Sequence, residues 1–291
     1  MARLRRVIVA GVNIRVHPHT SDHYRLLLEN AFALARPMQV RGDQHLLISS
    51  LQKAKIGEPV FGTLARYTEI DRDLPWFNTA KFEKAADSEM EQIHIPAPLK
   101  PNFVPFNFVL FPESHLLVFE SYDGKQSLSP LMVRSFFSKI FESPEIKGEF
   151  GEVLLDIVAD RSALEQIFEL KQLKTLRIEV KKPNPDYFEL DRDIEDRLGL
   201  MNGRKLAVEF EAEVGRSLVP DDQTRALATV ALRNGVVEAT GRNENGDSVS
   251  RSTIDTPLQE TVRYDPDGIT GSQAFIKAAY QLAQRVAAML L

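Results

Sequence analysis

The chain has 291 residues, of which 43% are hydrophobic and 26% charged, a balance typical of a soluble globular protein with one large or two ordinary domains. It contains no cysteine, which excludes disulfides, thiolate metal sites and a catalytic thiol, and no apolar run long enough for a transmembrane helix. The formal net charge of −5 excludes a chain that is basic throughout.

The first predicted element is a strand over RRVIVAGVNIRV, which begins at Arg5. The basic start followed by apolar residues is superficially signal-like, but the apolar stretch is short, is interrupted by Asn13 and Arg15, and has no small-residue cleavage site. We therefore expect a cytoplasmic protein with no membrane partner. A helix over YRLLLENAFALA follows, with a cap at Thr20, Ser21 or Asp22 and an end before Pro37.

The middle of the chain predicts strands separated by one irregular excursion. Two strands over QVRGDQHLLISSL and PVFGTLARYTEI come first, with a turn or bulge at Gly42–Asp43. Residues 71–102 predict a helix-containing excursion with a short strand around IHI. A hairpin over FVPFNFVLFPESHLLVFESY follows, and Ser129–Pro130 then opens a helix with an apolar stripe from Val133 to Phe141.

The polar segment ESPEIKGEFG predicts a boundary between an N-terminal α+β domain, residues 1–145, and a C-terminal α+β domain, residues 146–291. EVLLDIV, SALEQIFEL and TLRIEVK then predict a small βαβ unit of ferredoxin-like type. A charged helix, the strand KLAVEFEAE, a helix ended by Asn234–Gly235 in left-handed geometry, and a hairpin around NENGD follow.

The last predicted helix starts with capping-box spacing at Thr270 and Gln273 and carries an apolar stripe from Ile276 to Leu290. This stripe is expected to pack on a sheet, or on a second subunit because it runs to the end of the chain. The fold class predicted is α+β, in two domains, with mixed or antiparallel sheets and flanking helices.

The segment HPHTSDH holds three of the six histidines and has two interpretations. His17 and His19 at i, i+2 spacing, with Asp22 or His23, are candidate metal ligands. Pro18 between the two histidines and the expected helix start favour a turn with a cap instead. We therefore predict no metal and no other cofactor, with His17, His19 and Asp22 as the candidates if a metal does bind.

Catalytic motifs are missing from the sequence. Glu69, Asp71 and Asp73 are candidate magnesium ligands of a nuclease, but Arg72 lies among them and no lysine follows at nuclease spacing. No phosphate loop, EF-hand or GxSxG elbow is present. An enzyme is therefore not the favoured class, although a metal-dependent nuclease or toxin-like effector stays open, as does a protein-interaction module.

Positive charge is distributed unevenly along the chain. Residues 1–41 carry seven Lys or Arg against two acids, a local balance of +5, so the other 250 residues sum to −10. If two basic groups converge in the fold, they form a sequence-independent and salt-sensitive surface for duplex DNA; otherwise they are unrelated solvated charges. The candidate nucleic-acid-binding residues are Arg3, Arg5, Arg6 and Arg15, and Lys171, Lys174, Arg177, Lys181 and Lys182.

Several motifs together give the chain a family resemblance: NIRVHPHTSDHYRLLLENAF, VRGD, EIDRDLPWFN, IPAPLKPN, KKPNPD and RNGVVEATGRNENGDSVSRST. In this order they resemble a bacterial family catalogued as a domain of unknown function, over most of the chain. From about residue 104, the hairpin FVLFPESHLLVFES, the βαβ unit and GRNENGDSVSRSTIDTPL are similar in order to the RexA phage-exclusion protein. That resemblance implies a homodimer that binds duplex DNA non-specifically in antiviral defence, with a second defence protein as a further partner.

Overall fold

The computed structural model describes residues 4–71, 73–122, 124–183 and 189–289, so Arg3 lies outside the described residues. Within these ranges the chain forms two main sheets with flanking helices, and every strand pair is antiparallel. The predicted α+β class with antiparallel sheets and flanking helices is confirmed. None of the helices in these ranges has the length and apolar character needed to span a membrane.

The larger sheet has eight strands in the order β14-β1-β8-β7-β4-β3-β2, and β9 pairs with the second half of β1. A small two-stranded sheet, β5-β6, lies in the excursion after β4. The strands of these two sheets are β1 (Arg5–Arg15), β2 (Met38–Arg41), β3 (Gln44–Leu51), β4 (Val60–Thr68), β5 (Phe77–Asn78), β6 (Glu83–Lys84), β7 (Val104–Phe111), β8 (Leu116–Tyr122), β9 (Leu154–Ile157) and β14 (Gln259–Tyr264).

Helices cover both faces of the larger sheet, which explains the nearly continuous apolar run of β1. Ala10, Val12 and Ile14 of β1 belong to the core cluster that contains the apolar face of α3, whereas Val7 and Val9 belong to the cluster under α8. The helices are α1 (Ser21–Ala33), α2 (Asp87–Met90), α3 (Pro130–Phe141), α4 (Pro144–Phe150), α5 (Ser162–Phe168), α6 (Glu189–Leu200), α7 (Asp222–Asn234) and α8 (Gly271–Ala288).

The smaller sheet has the order β11-β10-β12-β13, with strands β10 (Gln172–Lys181), β11 (Lys205–Glu211), β12 (Gly235–Arg242) and β13 (Ser248–Ser252). Leu176, Ile178 and Val180 of β10 pack in its core, together with residues of α5, α6 and α7. The apolar residues of this strand therefore alternate with polar residues that point to the opposite face.

The three elements of the predicted βαβ unit form, but their arrangement differs from the prediction. β9 pairs with β1 in the larger sheet, whereas β10 pairs with β11 and β12 in the smaller one. The seven residues of α5 therefore cross between sheets instead of linking neighbours within one sheet. Because β14 and α8 also return to the larger sheet, a boundary between residues 145 and 146 does not separate the two sheets.

Other local predictions differ in detail. The polar segment after residue 141 is mostly helix α4, because Ile146 and Phe150 are buried in the core. IHI forms no strand. Gly235 has an extended φ of 174° and begins β12. Glycine is required at this position because the two strands approach closely: a Cβ there would lie 1.8 Å from the carbonyl oxygen of Glu179. Finally, α8 buries Phe275 and Leu282 and leaves Tyr280 exposed, a face rotated from the predicted stripe.

Candidate functional site

The histidine segment forms the turn between β1 and α1. Thr20 is the N-cap of α1, and its hydroxyl accepts a hydrogen bond from the backbone N–H of His23 at 3.2 Å. The rings of His19, Tyr24 and His115 pack together. The hydroxyl of Tyr24 is 2.8 Å from His19 Nδ1, and the ring centroids of His19 and His115 are 3.9 Å apart. The predicted cap and turn are confirmed.

Replacing Thr20 by alanine is expected to lower the free energy of unfolding by about 1 kcal/mol, because an N–H in the first turn of α1 loses its acceptor. Ser21→Ala is the matched control and is expected to change that free energy by less than about 0.5 kcal/mol, since Ser21 is already inside the helix. Urea unfolding of both variants measures the difference. A larger loss for Ser21→Ala than for Thr20→Ala contradicts the assignment.

Several of the candidate metal ligands have other partners. Asp22 forms an ion pair with Arg25 at 2.6 Å, and Glu69 forms one with Lys100. Asp71 accepts the backbone N–H of Asp73. Across the described ranges, no three histidine or carboxylate side chains converge in a way that could hold a metal ion.

At the far end of β1, Arg15 is the centre of a buried polar network between the two sheets. It is 1% exposed, forms an ion pair with Asp156 of β9, and donates a hydrogen bond to Asn234 Oδ1 at 2.9 Å. Lys181, the last residue of β10, binds the other oxygen of Asp156 at 2.6 Å. Asn13 also donates to Asn234. One carboxylate thus holds two cations that come from different sheets.

A second buried ion pair lies next to this network. Arg233 of α7 contacts Asp191 of α6 at 3.0 Å, and both residues are buried. Burial raises the pKa of Asp191, and the nearby guanidinium of Arg233 opposes that shift. The two pairs hold α6, α7 and β10 against the end of β1, because separating any partner would leave a charge unpaired in the interior.

A cleft of ≈380 Å³, here called the junction cleft, opens above Arg15. Three connections form its walls: the segment after β1, the α4–β9 turn and the α6–β11 turn. Burial, followed by the charge of Lys182, lowers the pKa of His17 in the cleft wall. The polar residues of the cleft are Arg15, His17, Glu152, Lys182, Asn202 and Arg204.

The second predicted basic group is largely neutralised by carboxylates. Arg177 is exposed on β10, but Glu209 and Glu238 lie directly opposite it on the neighbouring strands, and Glu179 contacts it at 3.1 Å. Lys182 faces Glu195 at 3.6 Å. Lys174 is exposed, and Lys171 donates to the backbone carbonyl of Glu244. The outward face of β10 is therefore of mixed charge, not a continuous basic strip.

At the near end of β1, two arginines lie opposite each other on neighbouring strands. Arg6 lies directly opposite Arg263 of β14, both side chains are exposed, and neither forms an ion pair with a described carboxylate. The guanidinium carbon of Arg6 lies 4.8 Å from the centroid of the Tyr122 ring. Arg5 precedes Arg6 in the strand and so points to the other face of the sheet.

Residues 124–127 extend this basic surface. The position of Gly124 lies close to the backbone carbonyl of Arg6, and exposed Lys125 follows it. Arg66 of β4 donates to Gln126 at 2.8 Å and to the carbonyl of Ser127. We define the arginine face as Arg6, Arg66, Lys125 and Arg263.

The structure does not gather the predicted residues on one surface, and four of them lie neither at the junction cleft nor in the arginine face: Arg5, Lys171, Lys174 and Arg177. Arg15 and Lys182 line the junction cleft, and Lys181 joins Arg15 through Asp156. Arg6 lies about 30 Å from Arg15 at the other end of β1, because the two residues are nine positions apart along an extended strand. Arg263 and Arg204 were not among the predicted residues. Each is an ordinary charged residue of a short strand or turn, and only its pairing with a distant strand distinguishes it.

A family model for a domain of unknown function (DUF4747) matches residues 5–280, and the chain belongs to this family. The resemblance to a domain-of-unknown-function family, seen in the sequence motifs, is thereby confirmed. No curated protein matches the chain, so the resemblance to RexA stays a prediction.

Proposed function

We propose that this member of the DUF4747 family binds the phosphate backbone of nucleic acid through the arginine face. The nucleic acid that we propose is duplex DNA. The observation that carries the proposal is the cross-strand pair of Arg6 and Arg263, two exposed arginines that form no ion pair with a carboxylate of the residues that the structure describes. Like charges directly opposite each other on two strands destabilise a sheet. An anion bound between them removes that cost.

The chemistry of the arginine face suits a phosphodiester. A guanidinium donates two parallel hydrogen bonds to phosphate oxygens, and two such groups on adjacent strands can hold one phosphate or two successive ones. Tyr122 under Arg6 keeps that guanidinium in place by a cation–π contact and offers an aromatic surface beside it. Because such contacts reach phosphates and not base edges, binding is expected to be independent of sequence.

The test is fluorescence anisotropy of a labelled duplex over a range of salt concentrations. The wild-type protein is expected to bind at low salt, with log K falling linearly as log[salt] rises. The double variant Arg6→Ser with Arg263→Ser is expected to bind more weakly and to reduce the magnitude of that slope by about 2, one for each lost phosphate contact.

The matched control is Arg177→Ser with Arg216→Ser, which removes the same charge from two exposed arginines that already face glutamates. Its slope is expected to stay that of the wild-type protein. Equal weakening in the two double variants would show a general effect of net charge and overturn the proposal, as would binding that does not respond to salt. Metal-dependent nicking of plasmid DNA with Mg²⁺ or Mn²⁺ would favour the nuclease alternative instead.

The finer parts of the proposal are a homodimer that acts in phage defence with a second defence protein, in line with the resemblance to RexA, and a cytoplasmic location, as expected from the sequence. The exposed apolar side chains of α8, Ile276 and Tyr280, are the surface that we propose for the dimer contact. Light scattering measures the oligomeric state, and plating efficiency of phages on cells with the wild-type or the Arg6→Ser, Arg263→Ser gene measures the defence role.

A further inference from the structure

We infer that the junction cleft binds a small phosphate-bearing molecule, at a site separate from the arginine face. The cleft lies at the opposite end of β1 and between the two sheets, so its occupant would contact both. Its volume of ≈380 Å³ falls in the range of small-molecule sites, roughly 300–1,000 Å³.

Arg15, which lines the cleft, belongs to a buried network with an excess of positive charge. Arg15 and Lys181 share the single carboxylate of Asp156, which leaves one positive charge without a partner in that cluster. Arg15 is 1% exposed, and its Nε is buried with no hydrogen-bond acceptor. A buried donor without an acceptor is unfavourable, particularly on a charged group, so an anion bound beside Arg15 would supply the missing acceptor.

The rim adds two cations that can be released from their present partners. The backbone N–H of Lys182 donates to the carbonyl of Arg204 at 3.1 Å, which places two positive residues opposite each other. Arg204 contacts Glu152 at 2.6 Å, but the two side chains are 68% and 50% exposed, so the pair contributes little to stability. Lys182 lies 3.6 Å from Glu195, a long ion-pair distance. A phosphate can therefore compete for both cations.

The shape of the cleft favours a terminal phosphate over a nucleic-acid backbone. Arg15, Phe150 and the Asn202–Gly203 turn line a cleft of ≈380 Å³, a volume that suits a small ligand and is far smaller than a duplex. Glu152 and the amide of Asn202 at the rim can bind hydroxyl groups of the rest of the ligand. The class of ligand is thus a small phosphate monoester or inorganic phosphate itself.

The test is thermal unfolding in millimolar inorganic phosphate, compared with sodium chloride at the same ionic strength. Phosphate is expected to raise the unfolding temperature of the wild-type protein by about 2 °C at several times its dissociation constant. The double variant Lys182→Gln with Arg204→Gln is expected to lose this rise, and the double variant Arg6→Ser with Arg263→Ser to keep it. Circular dichroism verifies that each variant is folded.

A third variant changes affinity in the opposite direction. Glu152→Gln removes the carboxylate that competes for Arg204, and we expect it to lower the phosphate concentration at half-maximal shift by about threefold. The inference is overturned if phosphate raises the unfolding temperature no more than chloride does. It is also overturned if the rise persists in the double variant Lys182→Gln with Arg204→Gln. A rise lost only in Arg6→Ser with Arg263→Ser assigns the phosphate to the arginine face and overturns it too, while leaving the proposed nucleic-acid binding intact.

Discussion

Asp156→Asn is expected to lower the free energy of unfolding by about 3–5 kcal/mol, the range observed when one partner of a buried ion pair is removed. The carboxylate is 5% exposed and is the anion shared by Arg15, at 1% exposure, and Lys181. An asparagine fits the same space, but it leaves the guanidinium of Arg15 in the interior without a counter-charge. Because β9 and β10 belong to different sheets, the loss weakens the joint between them.

Urea unfolding of Asp156→Asn measures this loss, and Glu213→Gln is its matched control. Glu213 also faces an arginine, Arg216, but the two side chains are 76% and 78% exposed, so its replacement is expected to change the free energy of unfolding by less than about 1 kcal/mol. A loss below 1 kcal/mol for Asp156→Asn would mean that Arg15 is not held by this carboxylate.

Mild acid is expected to destabilise the protein through His115, by about 2 kcal/mol between pH 7 and pH 5. The side chain is 4% exposed, and burial, followed by the charges of His19 and Arg233, lowers the pKa of His115 to about 3. The unfolded chain takes up a proton at this residue near pH 6.5, whereas the folded chain does not until about pH 3. The contribution of neutral His115 to the free energy of unfolding is therefore fully present above pH 6.5, and it is lost progressively as the pH falls to about 3.

His115→Asn is the variant that tests this pH dependence, because His115 has a positive φ of 55° and asparagine tolerates that conformation better than most residues. Its free energy of unfolding is expected to change by about 2 kcal/mol less than that of the wild-type protein between pH 7 and pH 5. The exposed His94→Gln is the control and should keep the wild-type pH dependence. The same pH dependence in His115→Asn and the wild-type protein contradicts the assignment.

Elements with a local cause could be predicted from the sequence. The capping box of Thr270 and Gln273, the cap at Ser129 before Pro130 and the hairpin of β7 and β8 involve residues within a few positions of each other, and all three form as predicted. Gly235 shows the limit of such reasoning. Its position at a helix end is local, but the carbonyl of Glu179 that excludes a Cβ belongs to another strand.

By itself, the sequence determined the periodicity of the strands and helices, their caps and turns, and hence the α+β class, because these depend on neighbouring residues. It also determined that a basic surface would have to be local, since the chain as a whole is acidic. Only the tertiary structure decided which charges meet. Arg15 is 141 residues from Asp156 and 219 from Asn234, and Arg6 meets Arg263 across strands from opposite ends of the chain. Strand pairing at such separation depends on the packing of the whole sheet, which no local pattern of residues specifies.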